Sequence, residues 1–194
     1  MEVHCLRHGV TVGNVQGRYQ GFCDSALTEE QLAAFSAVRF DSSIYDAVYC
    51  SPRGRCRDTA GALGIKSLID EPRLAERHFG VFEGLPRAEC ERRFSVEFAA
   101  FQRFDADYEI PEGESRASNL ARVLDWLEEV AVYRRVLAIT HGGTIDFLYR
   151  LATNKAVHGG AIVFAASNAS VSSFEVHWPK IELIAYDVPL DRRM

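Results

Sequence analysis

Three short stretches collect residue types that can do chemistry on an anion. Arg7-His8-Gly9 opens a run that continues through Thr11, Gly13, Asn14, Gly17 and Arg18. Ser51 is followed by Arg55 one helical turn later, and His141 precedes Gly142 and Gly143. Arginine forks match phosphate oxygens and stay charged at any working pH. A neutral imidazole attacks phosphorus and splits hydrolysis into two easier steps through a phosphohistidine. The departing oxygen then needs a proton, which a neutral carboxylic acid gives before it activates water. Cationic side chains around a transferring phosphoryl group do the work of a metal ion, so this set calls for none.

Each stretch lies where a strand runs out. Residues 3–7, 45–50 and 136–140 read as strands, and the third is uniformly apolar, as expected of a central parallel strand. If the three run parallel, their reactive ends open onto one edge of the sheet, where ligands sit in open α/β folds. Between them, Thr28 predicts a helix cap with Glu29 and Glu30 in the first turn and Leu32, Phe35 and Val38 on one face. A helix carries Arg55, Cys56, Thr59, Ala60 and Leu63 and ends at Gly64, ahead of a strand over 65–69. A loop over 72–84 holds Glu76, Arg77, His78 and Glu83, and a helical pattern covers 86–104. Pro111-Glu112-Gly113-Glu114-Ser115 breaks it, and Ser115 caps a helix with the stripe Leu120, Val123, Leu124, Leu127 and Val130. A helix over 145–152 and strands over 161–165, 170–176 and 181–186 complete the chain, the last two strands joined by a turn at Trp178-Pro179-Lys180. The alternation predicts an α/β three-layer sandwich, with a largely parallel central sheet and helices on both faces, as one domain spanning 1–194.

Composition narrows the partners. A net charge of −5 argues against a nucleic-acid binder but leaves room for a local cationic pocket. The five cysteines, Cys5, Cys23, Cys50, Cys56 and Cys90, are odd in number and contain no C-x-x-C pair. They read as free thiols in a reducing compartment rather than a disulfide framework or a zinc cluster. No apolar run reaches membrane-spanning length and the sequence opens on a strand, so the expected location is cytoplasmic, away from any membrane. The expected partner is a small phosphorylated metabolite. The C-terminal strands and aromatic content permit a homodimer without arguing for one.

Five motifs occur in order: Arg7-His8-Gly9, Ser51-Pro52-x-x-Arg55, Leu74-x-Glu76-x-x-x-Gly80 with Glu83-Gly84, Pro111-x-Gly113-Glu114-Ser115, and Thr140-His141-Gly142. The set resembles the histidine phosphatase superfamily, the phosphoglycerate mutase-like proteins, from the first strand to Asn168. The resemblance implies a phosphohistidine on His8, with Arg7, Arg55 and His141 holding the phosphoryl oxygens and Asn14 as a further donor. It also implies Glu76 as proton donor, with Glu83 a nearby rival, and Gly142 as the point where the backbone approaches the phosphate. No metal and no cofactor are expected. Val10 and Gly13 depart from residues common in relatives and bear on the substrate-facing rim. The short stretch between Glu83 and Pro111 favours a phosphomonoester hydrolase over a mutase, and Arg55-Cys56-Arg57 is similar to alpha-ribazole phosphatases. A phosphoglycerate mutase-type phosphotransferase and a non-catalytic phosphate-binding regulator are the alternatives. Metal-dependent hydrolysis by His8, His141 and Glu76 lacks the H-x-x-x-H spacing it would need. His4, His78, His158 and His177 read as structural, and Arg53 and Arg57 as helix-surface residues. Cys56 reads as a packed small residue.

Overall fold

Period-two patterning sorts the strand residues between two apolar layers. In the computed structural model, which describes residues 1–157 and 166–190, Val136 and Ala138 of the strand β4 (Arg135–Thr140) face one core. Leu137 and Ile139, next to them in sequence, face the other. The strands β1 (Glu2–Arg7) and β2 (Ala47–Cys50) divide in the same way, with Val3, Cys5, Ala47 and Tyr49 on one face and Leu6, Val48 and Cys50 on the opposite one. A strand whose two faces are both covered reads as a continuous apolar run, which is why 136–140 carried no alternation.

Six described strands form one sheet in the order β3-β2-β4-β1-β5-β6, adding β3 (Ile69–Asp70), β5 (Ser170–His177) and β6 (Lys180–Pro189). β3, β2, β4 and β1 pair parallel, and β5 pairs antiparallel with both β1 and β6. The sheet is therefore largely parallel, as the sequence predicts. In the centre, Arg7 stands opposite Thr140 and Cys50 opposite Ile139, so β1, β2 and β4 end at nearly one level.

One face is covered by α2 (Glu29–Ser36) and α3 (Gly54–Ala62), through Phe35, Cys56, Ala60 and Leu63. The other is covered by α6 (Arg116–Glu129) and α7 (Gly142–Ala152), through Val123, Trp126, Leu127, Ile145 and Leu148. Thr28 and Ser115 cap α2 and α6, each side chain accepting from a backbone N–H in the first turn.

Four local expectations change. The strand expected over 65–69 shrinks to Ile69–Asp70, because Ile65 turns into the core beneath α3 and its N–H bonds back to Ala60. The single helix expected over 86–104 is two, α4 (Arg87–Arg93) and α5 (Ser95–Phe101), broken at Phe94, whose backbone (φ −133°, ψ 49°) is not helical. The polar loop after His8 contains one helical turn, α1 (Val12–Val15), held by a reciprocal cap between Thr11 and Asn14. In α6 the buried stripe includes Trp126, whereas Leu124 is only half-buried. The strand expected over 161–165 and His158 lie outside the described residues.

A small separate core of Phe82, Cys90, Phe98 and Ile110 ties α4 and α5 to the 79–85 loop, beside the strand ends. No described helix is long and apolar enough to cross a membrane. All five cysteines are free, and only Cys23 is exposed.

Candidate active site

β1 and β4 deliver the two histidines side by side. The His8 N–H donates to Thr140 O at 3.0 Å, and the His8 and His141 rings lie 5.3 Å apart at 60°. Both side chains are buried, at 3% and 0% exposure. Burial pushes both imidazole pKa values well below the usual 6.5, and the charges of Arg55 and Arg7 push the same way. Both rings are therefore neutral at neutral pH.

The tautomer of His8 follows from its neighbour. Nδ1 lies 2.8 Å from Gly9 O, and a carbonyl can only accept, so Nδ1 carries the proton and Nε2 keeps its lone pair. Asn168 Nδ2 approaches the same nitrogen at 3.4 Å, but it donates better to His8 O at 3.0 Å and to Gly9 O and Asn14 Oδ1 at 3.3 Å. Asn168 thus fixes the His8 backbone rather than competing for its ring.

His141 caps α7 through its backbone, and its ring is fixed by Ser51 at the end of β2, with Nε2 2.7 Å from Oγ. Cys56 Sγ packs 3.5 Å from the same nitrogen. Its thiol is fully buried and its pKa is raised well above the ordinary value, mainly by burial. That is the state of an inert packed residue rather than a redox centre.

Arg55 and Arg7 flank the histidines. Arg55 is 1% exposed and anchored by its terminal nitrogens, with Nη1 2.9 Å from Asp24 Oδ1 and Nη2 2.8 Å from Gly21 O. Arg7 donates from Nη1 to Ala166 O, and burial lowers its pKa while Glu76 raises it. Each arginine leaves its Nε–H buried and without a partner among the described residues. Buried donors are ordinarily satisfied, so two orphan guanidinium donors beside two neutral imidazoles form a cradle for an anion. Asn14 spends Oδ1 on Thr11 and Asn168, which leaves its Nδ2 as the end able to donate.

Glu76 arrives from the loop before α4. Its Oε1 accepts from Arg77 N at 2.9 Å and its Oε2 from Gly143 N at 3.3 Å, at the start of α7. The two glycines after His141 make room for these groups. A Cβ on Gly142 would stand 3.3 Å from Arg7 Cζ, and one on Gly143 would stand 2.4 Å from Glu76 Oε1. Gly142 therefore leaves room for the Arg7 guanidinium. The rival carboxylate, Glu83, is fully engaged elsewhere, accepting from Phe22 N, Cys23 N and Phe79 N at 2.7 to 3.0 Å.

The Pro-x-Gly-Glu-Ser motif holds the Glu76 loop in place. Glu114 Oε1 accepts from His78 N at 2.9 Å and pairs with Arg122 Nη2 at 2.7 Å. Arg122 in turn donates to the carbonyls of Arg73, Ala75 and Glu76. Sequence reasoning missed Asp24, Asn168, Thr59 and Arg122 as parts of this site. Thr59 Oγ1, which accepts from Gly9 N at 2.9 Å and donates to Arg55 O, joins the His8 loop to α3. Only the turn signature Ser167-Asn168-Ala169-Ser170 could have pointed to Asn168.

Of the residues named from the sequence, His8, His141, Arg7, Arg55, Glu76, Asn14 and Gly142 all fall in this one region at the ends of β1, β2 and β4. His4 instead bonds Tyr45 at 2.9 Å, His177 is exposed beside Glu175, and Arg57 pairs with Asp70 at the surface. The described residues contain no cluster of three or more His, Cys, Asp or Glu able to hold a metal ion.

Solved structures share this architecture. A putative alpha-ribazole-5'-P phosphatase from Escherichia coli superposes with a TM-score of 0.82 over 97% of this chain and 98% of its own, at 22% identity, a likeness of fold alone. A mycobacterial glucosyl-3-phosphoglycerate phosphatase, solved with VO3, gives 0.79 over 96% and 98% at 26% identity. Residues 3–188 match the histidine phosphatase superfamily (branch 1), and the chain belongs to that superfamily. Among curated relatives, a metal-independent phosphoserine phosphatase from Arabidopsis thaliana is 33% identical over 178 residues, which is 86% of this chain and 74% of that one. A 2,3-bisphosphoglycerate-dependent phosphoglycerate mutase from Bradyrhizobium diazoefficiens is 29% identical over 158 residues, 74% of this chain and 76% of its own.

Proposed function

We propose that this chain is a phosphomonoester hydrolase that works through a phosphohistidine on His8 and needs no metal. The observation that carries the reading is His8 itself: a buried neutral ring whose Nδ1–H is spent on Gly9 O, near enough to Arg55 and Arg7 to feel both charges, and each arginine keeps an unpartnered Nε–H. Nε2 attacks phosphorus as the phosphorus–oxygen bond to the alcohol breaks, and the protonated Glu76 carboxyl gives its proton to the departing oxygen. Glu76, now a carboxylate, takes a proton from water as that water attacks the phosphohistidine. The P–N bond breaks, phosphate leaves, and the His8 lone pair and Glu76 proton are restored. Arg7, Arg55 and His141 bind the equatorial oxygens, where charge develops, and Asn14 adds a donor through Nδ2. Free thiols buried in the fold suit a reducing, cytoplasmic setting.

Glu76 is preferred to Glu83 because its carboxylate sits at the start of α7 near Arg7, whereas Glu83 is used up in joining two loops. The mutase relatives favour one other reading, transfer of the phosphoryl group from His8 to a second alcohol instead of water. The test is hydrolysis of 4-nitrophenyl phosphate in excess EDTA, with phosphoserine and 3-phosphoglycerate as further substrates. The expected result is turnover that chelator does not change and that falls about a thousandfold or more in His8→Ala. Loss to EDTA with recovery on adding a divalent ion would contradict the metal-free mechanism, and unchanged turnover in His8→Ala would contradict the assignment of His8.

A further inference from the structure

A pocket opens beside Glu76 and Gly143, and its walls combine aromatic rings, with Phe79, Phe101, Phe104 and Phe147 among them, with charged side chains. Phe104 is held at φ +56°, a conformation that bulky residues rarely adopt. Two polar lining residues, Arg116 and Asn119, stand one turn apart on α6. Asn119 is 1% exposed, yet neither Nδ2 nor Oδ1 has a hydrogen-bond partner among the described residues. The Arg116 Nε is likewise buried and unpartnered, while its Nη2 pairs with Asp146 Oδ2 at 3.0 Å. Arg116 also stands in the first turn of α6, where the helix dipole disfavours a cation. Neither residue belongs to the five motifs, and the phosphoryl mechanism uses neither.

Unsatisfied buried amides are costly, and an amide that keeps both its donor and its acceptor free next to a cavity is built to meet a complementary edge. We propose that this pocket receives the alcohol half of the substrate, and that Asn119 and Arg116 select an aromatic leaving group carrying a neutral, carboxamide-like edge. The inference rests on the phosphatase reading, because Glu76 joins the two halves of the site. The ring packs against the phenylalanines. Its carbonyl accepts from Asn119 Nδ2 and Arg116 Nε, and its N–H donates to Asn119 Oδ1. The edge is neutral because a carboxylate brings no N–H to the free Asn119 Oδ1, and the charge of Arg116 is already paired with Asp146 Oδ2 at 3.0 Å.

Three synthetic substrates with nearly equal leaving-group acidity test this: benzyl phosphate, 4-carbamoylbenzyl phosphate and 4-carboxybenzyl phosphate. The carbamoyl compound is expected to exceed each of the others in kcat/KM by about tenfold, mainly through KM. In Asn119→Leu the ratio of carbamoyl to benzyl falls to about one, and Asn119→Ser serves if the leucine variant does not fold. Equal kcat/KM for the carbamoyl and benzyl compounds, or a preference for the carboxylate, overturns the proposal with no variant needed. If none of the three is hydrolysed while 4-nitrophenyl phosphate is, the pocket proposal is overturned and the phosphatase reading stands; if 4-nitrophenyl phosphate is not hydrolysed either, the phosphatase reading fails. Calorimetry with 4-carbamoylbenzyl alcohol against benzyl alcohol then decides the pocket alone: tighter binding of the amide supports it, and equal affinity overturns it.

Discussion

A histidine that attacks phosphorus must keep one ring nitrogen unprotonated and pointing away from its supports. His8 meets that requirement through one neighbouring carbonyl that takes the Nδ1 proton and through its burial, and the arginines that would bind substrate also keep its ring neutral. Glu76 has a different task, because a proton donor matters in proportion to how badly the leaving oxygen needs the proton. Glu76→Gln is therefore expected to slow alkyl phosphates by a factor of about 10² to 10⁴ and 4-nitrophenyl phosphate far less. A leaving-group series of kcat values measures the difference, and an equal loss across the series would move the role to another group. At this scale the site was legible in the sequence, since His8, His141, Arg7, Arg55 and Glu76 sit in short motifs with characteristic neighbours. Asp24 and Arg122 were not, because a charge that anchors another side chain from a distant loop leaves no local pattern.

Elements set where those residues stand. β1, β2 and β4 run parallel in near register, which brings His8, Ser51 and His141 to one edge. α7 starts at that edge, and Gly143 lets the Glu76 carboxylate touch its first turn. Gly143→Ala places a methyl 2.4 Å from Glu76 Oε1, so the carboxylate must move. The expected result is a drop of tenfold or more (~1.4 kcal/mol or above) in kcat/KM for poor leaving groups, with unfolding free energy altered by less than about 1 kcal/mol. Kinetics on an alkyl phosphate beside urea denaturation checks both halves, and full activity would show that Glu76 needs no contact with α7. Helix caps and the apolar strand of β4 were readable because their causes are local. The break at Phe94 was not, because the pattern of Phe94, Phe98 and Phe101 suits one long helix and the small core around Phe82 and Phe98 imposes two. The shortening of β3 has the same kind of cause, since Ile65 is claimed by the core under α3.

Across the whole molecule, a sheet covered on both sides lets two imidazoles be buried at a strand end, and that burial links folding to pH. His8 and His141 bind protons more weakly in the folded chain than in the unfolded one, where 6.5 is the ordinary value. Their contribution to stability is complete above pH 6.5 and is lost as pH falls below it, toward the depressed folded values. The loss approaches about 1.4 kcal/mol per pH unit for each histidine. Urea unfolding at pH 7.5 and pH 5.0 should give a smaller fall in stability for His141→Gln than for the parent chain, and identical falls would mean that His141 is not kept neutral by the fold. The three-layer plan itself was legible from alternating strands and helices. The antiparallel β5–β6 pair was legible too, because the turn at Trp178-Pro179-Lys180 is too short for a crossover. The antiparallel pairing of β5 with β1 was not, since it depends on where the chain crosses, which apolar patterning does not encode.

The central claim is a covalent bond between phosphorus and His8, and trapping it is the most direct test. The protein is mixed with ³²P-labelled substrate, quenched in alkali within the first turnover and digested, and the labelled peptide is mapped. Acid-labile, base-stable label is expected on the peptide containing His8, absent in His8→Ala. Label on another residue, or turnover with no labelled protein at any time point, would contradict it.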